Sequence, residues 1–224
     1  MMPIAPRQLA LALDHPESFA REDFLSGPAN AAALALIEAW PAWPHRSAIL
    51  IGPEGSGKSH LAAIWAQNAG ARQVAARGLE EAMVPAALAT GALVVEDLAP
   101  GLFDERALFH LLNLAREDDA YLLLTARAAP HDVSIPDLRS RLRALPVIAL
   151  AAPDDTLLRA LLVKLFADRQ LAVDESLISY LALRVDRSFA AARRLVGRLD
   201  EEAMRQKRPL TRTFAAEFLR TRRA

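Results

Sequence analysis

One segment restricts the fold of this chain more than any other: a short apolar run that passes directly into a glycine-rich loop. Residues 47–51 read SAILI, and residues 52–59 read GPEGSGKS. The loop matches the pattern G-x-x-x-x-G-K-[ST], in which glycines let backbone N–H groups turn inward around a phosphate. Such loops lie between a buried strand and a helix, so we expect an α/β fold with a parallel sheet.

Each residue type in this loop makes a specific contribution to the binding of phosphate or of its metal ion. The helix expected over 60–68 points its positive end at the bound anion. Lys58 supplies a point charge for the β and γ phosphates, and the Ser59 hydroxyl is a ligand for Mg²⁺. A glycine-rich turn without a ligand is the alternative, and the flanking strand and helix argue against it. The predicted binding residues for ADP or ATP are Gly52, Pro53, Glu54, Gly55, Ser56, Gly57, Lys58, Ser59 and His60.

The rest of the chain divides into two parts by its hydrophobic pattern. Apolar strands alternate with helices first, and helices alone follow. Asp154, Asp174 and Ser188 are suited to cap three of the later helices. The predicted strands are 47–51, 72–76, 92–95, 121–125 and 147–150, and the predicted helices are 29–40, 60–68, 106–116, 136–144, 154–169, 174–185, 188–206 and 213–222. We therefore expect a flexible arm over 1–18, a P-loop α/β core over 19–152 and a small all-helical domain over 153–224.

Polar residues follow two of the predicted strands. Glu96 and Asp97 come directly after ALVV, and Thr125 ends YLLLT. Ligands bind at the carboxyl ends of parallel strands, so one carboxylate should orient Mg²⁺ and the other the attacking water. We assign the metal to Ser59 and Glu96. Thr125 is a candidate for contact with the γ phosphate or the water, although threonine is also common at strand ends.

Composition narrows the remaining functions. There is no cysteine, which excludes disulfides and thiolate chemistry. The chain has 27 basic and 27 acidic residues, so we expect no sequence-specific DNA binding by this chain itself. No apolar run reaches the roughly 18 residues of a membrane helix, and the first residues lack a secretory pattern. We expect a cytoplasmic protein with no membrane association.

Five segments in order resemble a known family. They are FLSGPAN at 24–30, the phosphate loop, VVED at 94–97, LLLTAR at 122–127 and DLRSRL at 137–142. Together they resemble the AAA+ domain of the bacterial replication initiator DnaA, over about residues 20 to 222. The resemblance implies an AAA+ P-loop parallel-sheet core followed by a helical lid domain. It also implies that Phe24 and Gly27 contribute to the adenine pocket.

Two arginines gain roles from the same resemblance. Arg141 matches the arginine finger, which reaches a nucleotide bound to a neighbouring subunit. Arg193 matches the sensor arginine of the lid, which contacts the nucleotide of its own subunit, and Arg194 is the alternative if the register differs by one. Without the resemblance, a surface ion pair would be the default interpretation of each arginine.

The differences from DnaA suggest a subgroup. DnaA has a further N-terminal domain and a C-terminal helix-turn-helix domain, whereas this sequence ends at Ala224. We therefore expect a short DnaA-related paralogue of the Hda (HdaA) type, which promotes hydrolysis of DnaA-bound ATP and prevents re-initiation. The implied partners are DnaA and the DNA polymerase III sliding clamp (beta subunit), with a homo-oligomer as a further possibility.

The first residues carry the pattern expected for clamp binding. QLALAL at 8–13 resembles the short peptide that docks on the sliding clamp. In an extended segment Leu9, Leu11 and Leu13 share one side, and Gln8 is available for hydrogen bonds. The motif is short, and an edge strand or a helix start remains the alternative.

Glu96 is a second difference, because the family usually has two aspartates after this strand. The extra methylene places the carboxylate differently, so we expect weak intrinsic ATPase activity with nucleotide binding preserved. An AAA+ helicase loader is the alternative function, and clamp binding would distinguish it from the regulator. A small-molecule P-loop kinase is less compatible, since the helical domain follows the sheet and does not interrupt it.

Overall fold

The computed structural model describes residues 19–221, which divide into two compact units, 19–157 and 158–221. The arm over 1–18, with Gln8, Leu9, Leu11 and Leu13, lies outside the described residues. The division between the units falls within a helix, between Leu157 and Leu158. No helix in the described part of the chain is long and apolar enough to span a membrane.

The unit 19–157 is built on a five-stranded parallel sheet in the order β2-β3-β4-β1-β5. Its strands are β1 (Ser47–Ile51), β2 (Arg72–Ala75), β3 (Ala92–Leu98), β4 (Tyr121–Ala126) and β5 (Val147–Ala149). Its helices are α1 (Ala31–Glu38), α2 (Lys58–Ala69), α3 (Val84–Leu88), α4 (Glu105–Glu117) and α5 (Pro136–Ala144). Short 3₁₀ segments cover Arg21–Asp23, Ala76–Gly78 and Glu81–Met83.

Alternation of side chains along the strands creates two apolar layers. Ile49 of β1 packs in one core cluster with residues of α3, α4 and α5, while its neighbours Ala48 and Leu50 pack in a second cluster with α1 and α2. β3 and β4 divide in the same way. Both faces of the sheet are therefore covered, which explains why its central strands read as continuous apolar runs.

The unit 158–221 is entirely helical. It contains the greater part of α6 (Asp155–Asp168), then α7 (Glu175–Ala182), α8 (Phe189–Gln206) and α9 (Arg212–Arg220). Asp174 accepts a hydrogen bond from the Leu177 amide, and Ser188 accepts one from the Ala191 amide. These side chains satisfy helix N-terminal donors as predicted. The unit buries apolar side chains from all four helices, among them Phe166, Leu181, Leu199 and Phe214.

The predicted fold class is confirmed: a parallel α/β sheet with helices on both faces and a helical C-terminal part. All five strands were predicted within a few residues. No element was predicted for most of the segment 76–91, which forms two 3₁₀ turns and α3. β3 also continues past the predicted end, through Glu96 and Asp97 to Leu98.

Candidate functional site

The glycine-rich loop begins where β1 is held between its two neighbours. The Gly52 amide donates to the Ala126 carbonyl at the end of β4, at 3.2 Å. A Cβ on Gly52 would lie 2.5 Å from the Leu150 carbonyl oxygen and 2.8 Å from Ser56 Oγ. A backbone oxygen after β5 leaves no room for a side chain, so the sheet fixes the origin of the loop and requires glycine there.

The Ser56 amide donates to the Pro53 carbonyl at 3.3 Å, whereas other amides of the loop make no hydrogen bond within the described residues. Gly55 has φ of 71° and Gly57 has φ of 97°, both in the left-handed region that favours glycine. Among the described residues, no hydrogen-bond acceptor lies within reach of the amides of Gly55, Gly57 and Lys58. Lys58 begins α2, so these donors surround the positive end of a helix of 12 residues. Such a concave set of N–H groups is suited to an anion.

Ser56 adds a second sign that the loop is shaped for a ligand. Its side chain is buried, and its hydroxyl has no hydrogen-bond partner in the described part of the chain. Buried hydroxyls usually have a partner, because an unsatisfied one costs free energy. The unpaired hydroxyl is therefore available to form a hydrogen bond with a ligand in the loop.

Lys58 turns back onto the loop. Its Nζ donates to the carbonyls of Gly52 at 2.8 Å and Pro53 at 2.9 Å, and the residue is only 7% exposed. Burial lowers the pKa of Lys58, and the nearby Asp97 carboxylate opposes that shift. A phosphate oxygen would give this amine a charged acceptor in place of two neutral carbonyls, which is a stronger hydrogen bond.

Ser59 and Glu96 approach each other across the sheet edge. The Ser59 hydroxyl donates to Glu96 Oε2 at 3.4 Å. Burial and the neighbouring Asp97 carboxylate raise the pKa of Glu96. The described residues contain no cluster of three or more His, Cys, Asp or Glu side chains that could hold a metal by itself. A hydroxyl and one or two carboxylates still fit Mg²⁺, which takes its other oxygen ligands from phosphates and water.

Asp97 occupies a bulge in β3. The pairing of β3 with β4 shifts register between Val95 and Leu98, and Asp97 has φ of 59°. Its amide donates to Thr125 Oγ1 at 3.0 Å, and Thr125 is fully buried. The bulge exposes the Asp97 carboxylate at the end of the strand. Thr125 therefore supports the backbone of Asp97, and its predicted contact with phosphate or water stays a prediction.

Arg127 is a residue of this edge that the sequence reasoning missed. Its guanidinium donates to Glu54 Oε2 in the phosphate loop at 2.7 Å. The two residues are far apart in sequence, and no local pattern predicts their contact. The one available signal was position, because Arg127 follows directly after the predicted strand that ends in Thr125.

Aromatic side chains cover the outer side of the loop. Phe24 is buried, and its ring edge would be 3.3 Å from a Cβ placed on Gly57. The His60 ring meets Phe24 edge to face at 5.2 Å, and its Nε2 lies 3.0 Å from the Ala20 carbonyl oxygen. Phe24 and His60 therefore form one wall beside the loop. Their roles as nucleotide contacts stay predictions.

Gly27 lies in a segment fastened by Asn30. The Asn30 side chain accepts from the Gly27 amide at 2.9 Å and donates to the Leu25 carbonyl at 3.0 Å. The Ala29 carbonyl accepts from the Ala151 amide after β5. These bonds fix the FLSGPAN segment beside the sheet, which gives Asn30 a structural role that the sequence reasoning had not assigned.

Arg141 and Arg193 lie in different units of the structure. Arg141 is on α5, half-buried rather than fully exposed, with its guanidinium 5.3 Å from the centroid of the Phe109 ring on α4. Arg193 is a half-buried residue of α8, in the unit 158–221. The adjacent Arg194 is exposed. Their roles as finger and lid sensor stay predictions.

The fold is similar to that of solved AAA+ domains. Domain III of the Thermotoga maritima replication initiation protein DnaA covers 91% of this chain and 96% of its own length, at 18% identity and a TM-score of 0.76. A replication initiator DnaA bound to AMPPCP and single-stranded DNA covers 84% of this chain and 68% of its own, at 18% identity and a TM-score of 0.67. The Thermotoga maritima RuvB Holliday junction branch migration motor covers 91% and 72%, at 18% identity and a TM-score of 0.72.

No protein-family model matches the sequence, and no curated protein matches it. The similarity to known proteins therefore rests on structure. At 18% identity it establishes the architecture. The chain has the AAA+ fold that DnaA domain III and RuvB share.

Proposed function

We propose that this chain binds ADP or ATP together with Mg²⁺, as a DnaA-related AAA+ protein. The observation that carries the proposal is the meeting of three groups at one sheet edge: the open amides of the glycine loop, the buried Lys58 amine and the Ser59–Glu96 pair. Amides and amine suit phosphates, and the pair suits the metal that bridges them.

Lys58→Ala tests nucleotide binding. Removing the amine takes away the one side-chain cation of the loop itself, so calorimetry should show at least about a tenfold loss of affinity for both ADP and ATP. Lys164→Ala is a matched control, because Lys164 forms a local ion pair with Asp168 on α6. Unchanged affinity in Lys58→Ala, or no binding by the unmodified chain, would contradict the proposal.

We infer further that the protein regulates replication initiation in the manner of the Hda type, by promoting hydrolysis of ATP bound to DnaA. The ordered series of DnaA-like segments supports this inference, as does the match to domain III over 91% of the chain. In this proposal Arg141 completes the nucleotide site of a DnaA neighbour. A cation placed on the developing phosphate charge raises the rate by roughly 10³-fold or more.

Arg141→Ala separates this role from folding. The variant should bind nucleotide normally and fail to accelerate hydrolysis by ATP-bound DnaA in the presence of clamp-loaded DNA. Arg143→Ala is the control, because Arg143 is an exposed arginine on the same helix. If Arg141→Ala retains full stimulation, the finger assignment is wrong. If its ADP affinity falls as well, Arg141 serves its own nucleotide.

Clamp binding belongs to the same proposal and distinguishes it from a helicase loader. Replacing Gln8, Leu9 and Leu11 together by alanine should remove binding to purified sliding clamp in a pull-down assay. The melting temperature should remain unchanged if the segment is a tether. A large fall in melting temperature would instead make the segment part of the folded structure, and no clamp binding by the unmodified chain would favour the loader.

A further inference from the structure

The balanced charge of the whole chain conceals an uneven distribution. The segment 158–221 holds 13 of the 27 basic residues but only 8 of the 27 acidic residues. Eleven of those 13 basic residues are arginines. The helical unit therefore carries a net positive charge, while the rest of the chain is acidic. A basic unit rich in arginine is suited to a partner that carries many phosphates.

Some arginines of this unit are already neutralised by a neighbouring carboxylate. Arg208 donates to Glu217 at 2.8 Å. Arg205 donates to Glu202 within α8. Exposed ion pairs of this kind belong to an ordinary solvated helix surface. They leave little charge for a partner, so a binding surface must be sought among arginines that lack such pairs.

Arg184 and Arg212 converge on the ring of Tyr180. The guanidinium carbon of Arg184 lies 3.8 Å from the ring centroid, and that of Arg212 lies 5.6 Å from it. Arg184 also donates to the Tyr180 carbonyl at 3.1 Å, so its guanidinium is held by two contacts. Both arginines are exposed. The ring therefore fixes two cations close together at the surface, between the end of α7 and the start of α9.

No carboxylate of the described residues forms an ion pair with either of these arginines, not even Asp186 in the loop of Arg184. The pKa of Asp174 is lowered mainly by the Leu177 amide and to a smaller extent by the charge of Arg212. The Asp174 carboxylate nevertheless caps α7, where it accepts from that amide at 2.8 Å. Two neighbouring cations without a counter-ion repel each other, and an anion placed beside both removes the repulsion.

The chemistry of this surface fits the phosphates of a double-stranded nucleic acid. A guanidinium presents parallel N–H donors that match two oxygens of one phosphate, and a stacked guanidinium loses little freedom on binding. Unpaired bases find no comparable platform, because the exposed large apolar side chains of the described unit are not aromatic and the Tyr180 ring already stacks on Arg184. Proteins that bind single strands use such platforms, so the duplex is the better partner.

We propose that Arg184 and Arg212 bind the phosphate backbone of duplex DNA, and that Tyr180 holds the two guanidinium groups in place for this contact. Phosphate contacts carry no sequence information, so the binding is independent of base sequence. Tyr180 is a positioning residue, since its ring contacts the arginines. The proposal does not depend on the proposed nucleotide binding.

The salt dependence of binding tests the two contacts. Fluorescence anisotropy of a labelled duplex of about 20 base pairs gives the association constant at a series of KCl concentrations. The plot of its logarithm against the logarithm of salt concentration should become shallower by about 0.9 in Arg184→Ala and by the same amount in Arg212→Ala, because each variant loses one phosphate contact. The loss of affinity should be equal for two duplexes of unrelated sequence. Arg205→Ala is a control that removes the same charge, and its slope should not change, since Arg205 is paired with Glu202.

Two substitutions of Tyr180 test the positioning role. Tyr180→Phe keeps the ring and should bind the duplex like the unmodified chain. Tyr180→Leu releases both guanidinium groups and should weaken binding severalfold, with the helical content checked by circular dichroism. If Tyr180→Phe loses as much affinity as Tyr180→Leu, stacking does not position the arginines.

Three further outcomes would overturn the proposal. The first is an unchanged salt slope in both arginine variants, or no binding of the duplex by the unmodified chain. The second is tighter binding of a single strand of the same length, which would assign the surface to unpaired nucleic acid. The third is equal competition by polyglutamate and by unlabelled duplex at the same concentration of charge, which would indicate an acidic protein as the partner.

Discussion

Thr125→Val removes one hydrogen bond from the candidate site and almost no volume. The Thr125 hydroxyl is fully buried and accepts from the Asp97 amide at 3.0 Å. That bond holds Asp97 in the left-handed conformation, at φ of 59°, where the bulge of β3 presents its carboxylate. Valine keeps the branched shape, but it leaves the amide without its acceptor.

The expected loss of stability follows from this one bond. A net intramolecular hydrogen bond contributes about 0.5–1.5 kcal/mol, and an unsatisfied donor costs about 1–3 kcal/mol. Asp97 is exposed, so water can partly replace the acceptor. We therefore expect a destabilisation near the lower end, about 1–2 kcal/mol. For a chain of 150–250 residues this corresponds to a fall in melting temperature of roughly 2–8 °C.

Tryptophan fluorescence during urea unfolding measures this loss of stability in the unit 19–157, which contains Thr125. All three tryptophans, Trp40, Trp43 and Trp65, lie in the unit 19–157, and the rings of Trp43 and Trp65 stack at 5.1 Å. Thr90→Val is the control, because Thr90 is exposed just before β3 begins and its hydroxyl donates to the nearby Ala92 carbonyl.

The same variant has a functional expectation. Release of the bulge moves the Asp97 carboxylate, so any ATP hydrolysis should fall by more than the affinity for ATP does. If Thr125→Val is as stable as Thr90→Val and hydrolyses ATP at the original rate, the hydrogen bond neither stabilises the bulge nor positions Asp97.

Two further variants test the loop and the metal site. Gly52→Ala should lower the free energy of unfolding by about 1–3 kcal/mol, because the added Cβ would lie 2.5 Å from the Leu150 carbonyl oxygen. Gly78→Ala is the control, since the space around Gly78 is open, and it should be neutral or slightly stabilising in the same urea titration. Equal stabilities would contradict the close packing. Glu96→Gln should raise stability at neutral pH, because burial and Asp97 raise the pKa of Glu96 and its charged form costs free energy in the folded state. The stability difference between Glu96→Gln and the unmodified protein should vanish as the pH falls below about 4.3, the ordinary pKa of a glutamate. A stability difference that does not change with pH would contradict this prediction.

Much of the fold was accessible from sequence because the signals are local. SAILI forms β1 over the predicted residues, since five apolar or small residues that precede a glycine loop have few alternatives to a buried strand. Asp174 and Ser188 cap α7 and α8 as predicted, because a cap depends only on residues three positions away. The two 3₁₀ turns and α3 in the segment 76–91 were missed because elements this short do not repeat a pattern of apolar residues.

The fine structure of the site was less accessible because it depends on contacts between distant segments. The bulge at Asp97 requires a partner on β4 that no pattern in VVED reveals. The contact between Glu54 and Arg127 is formed only after β1 and β4 pair. Motif matching identified the candidate groups for phosphate binding, whereas the side chains in contact with the loop and with Asp97 are visible only in the folded sheet.

Three residues of the candidate site are in unfavourable surroundings in the described structure. Lys58 is buried as an amine against neutral carbonyls, the pKa of Glu96 is raised by burial, and the Ser56 hydroxyl has no partner among the described residues. Each of these features costs free energy in the free protein, and each would be relieved by a phosphate or a cation. A ligand that binds only the folded state stabilises it in proportion to the logarithm of its concentration relative to Kd. Nucleotide with Mg²⁺ should therefore raise the melting temperature of the unit 19–157, and the increase should be lost in Lys58→Ala, because that variant lacks the charge that the phosphates require.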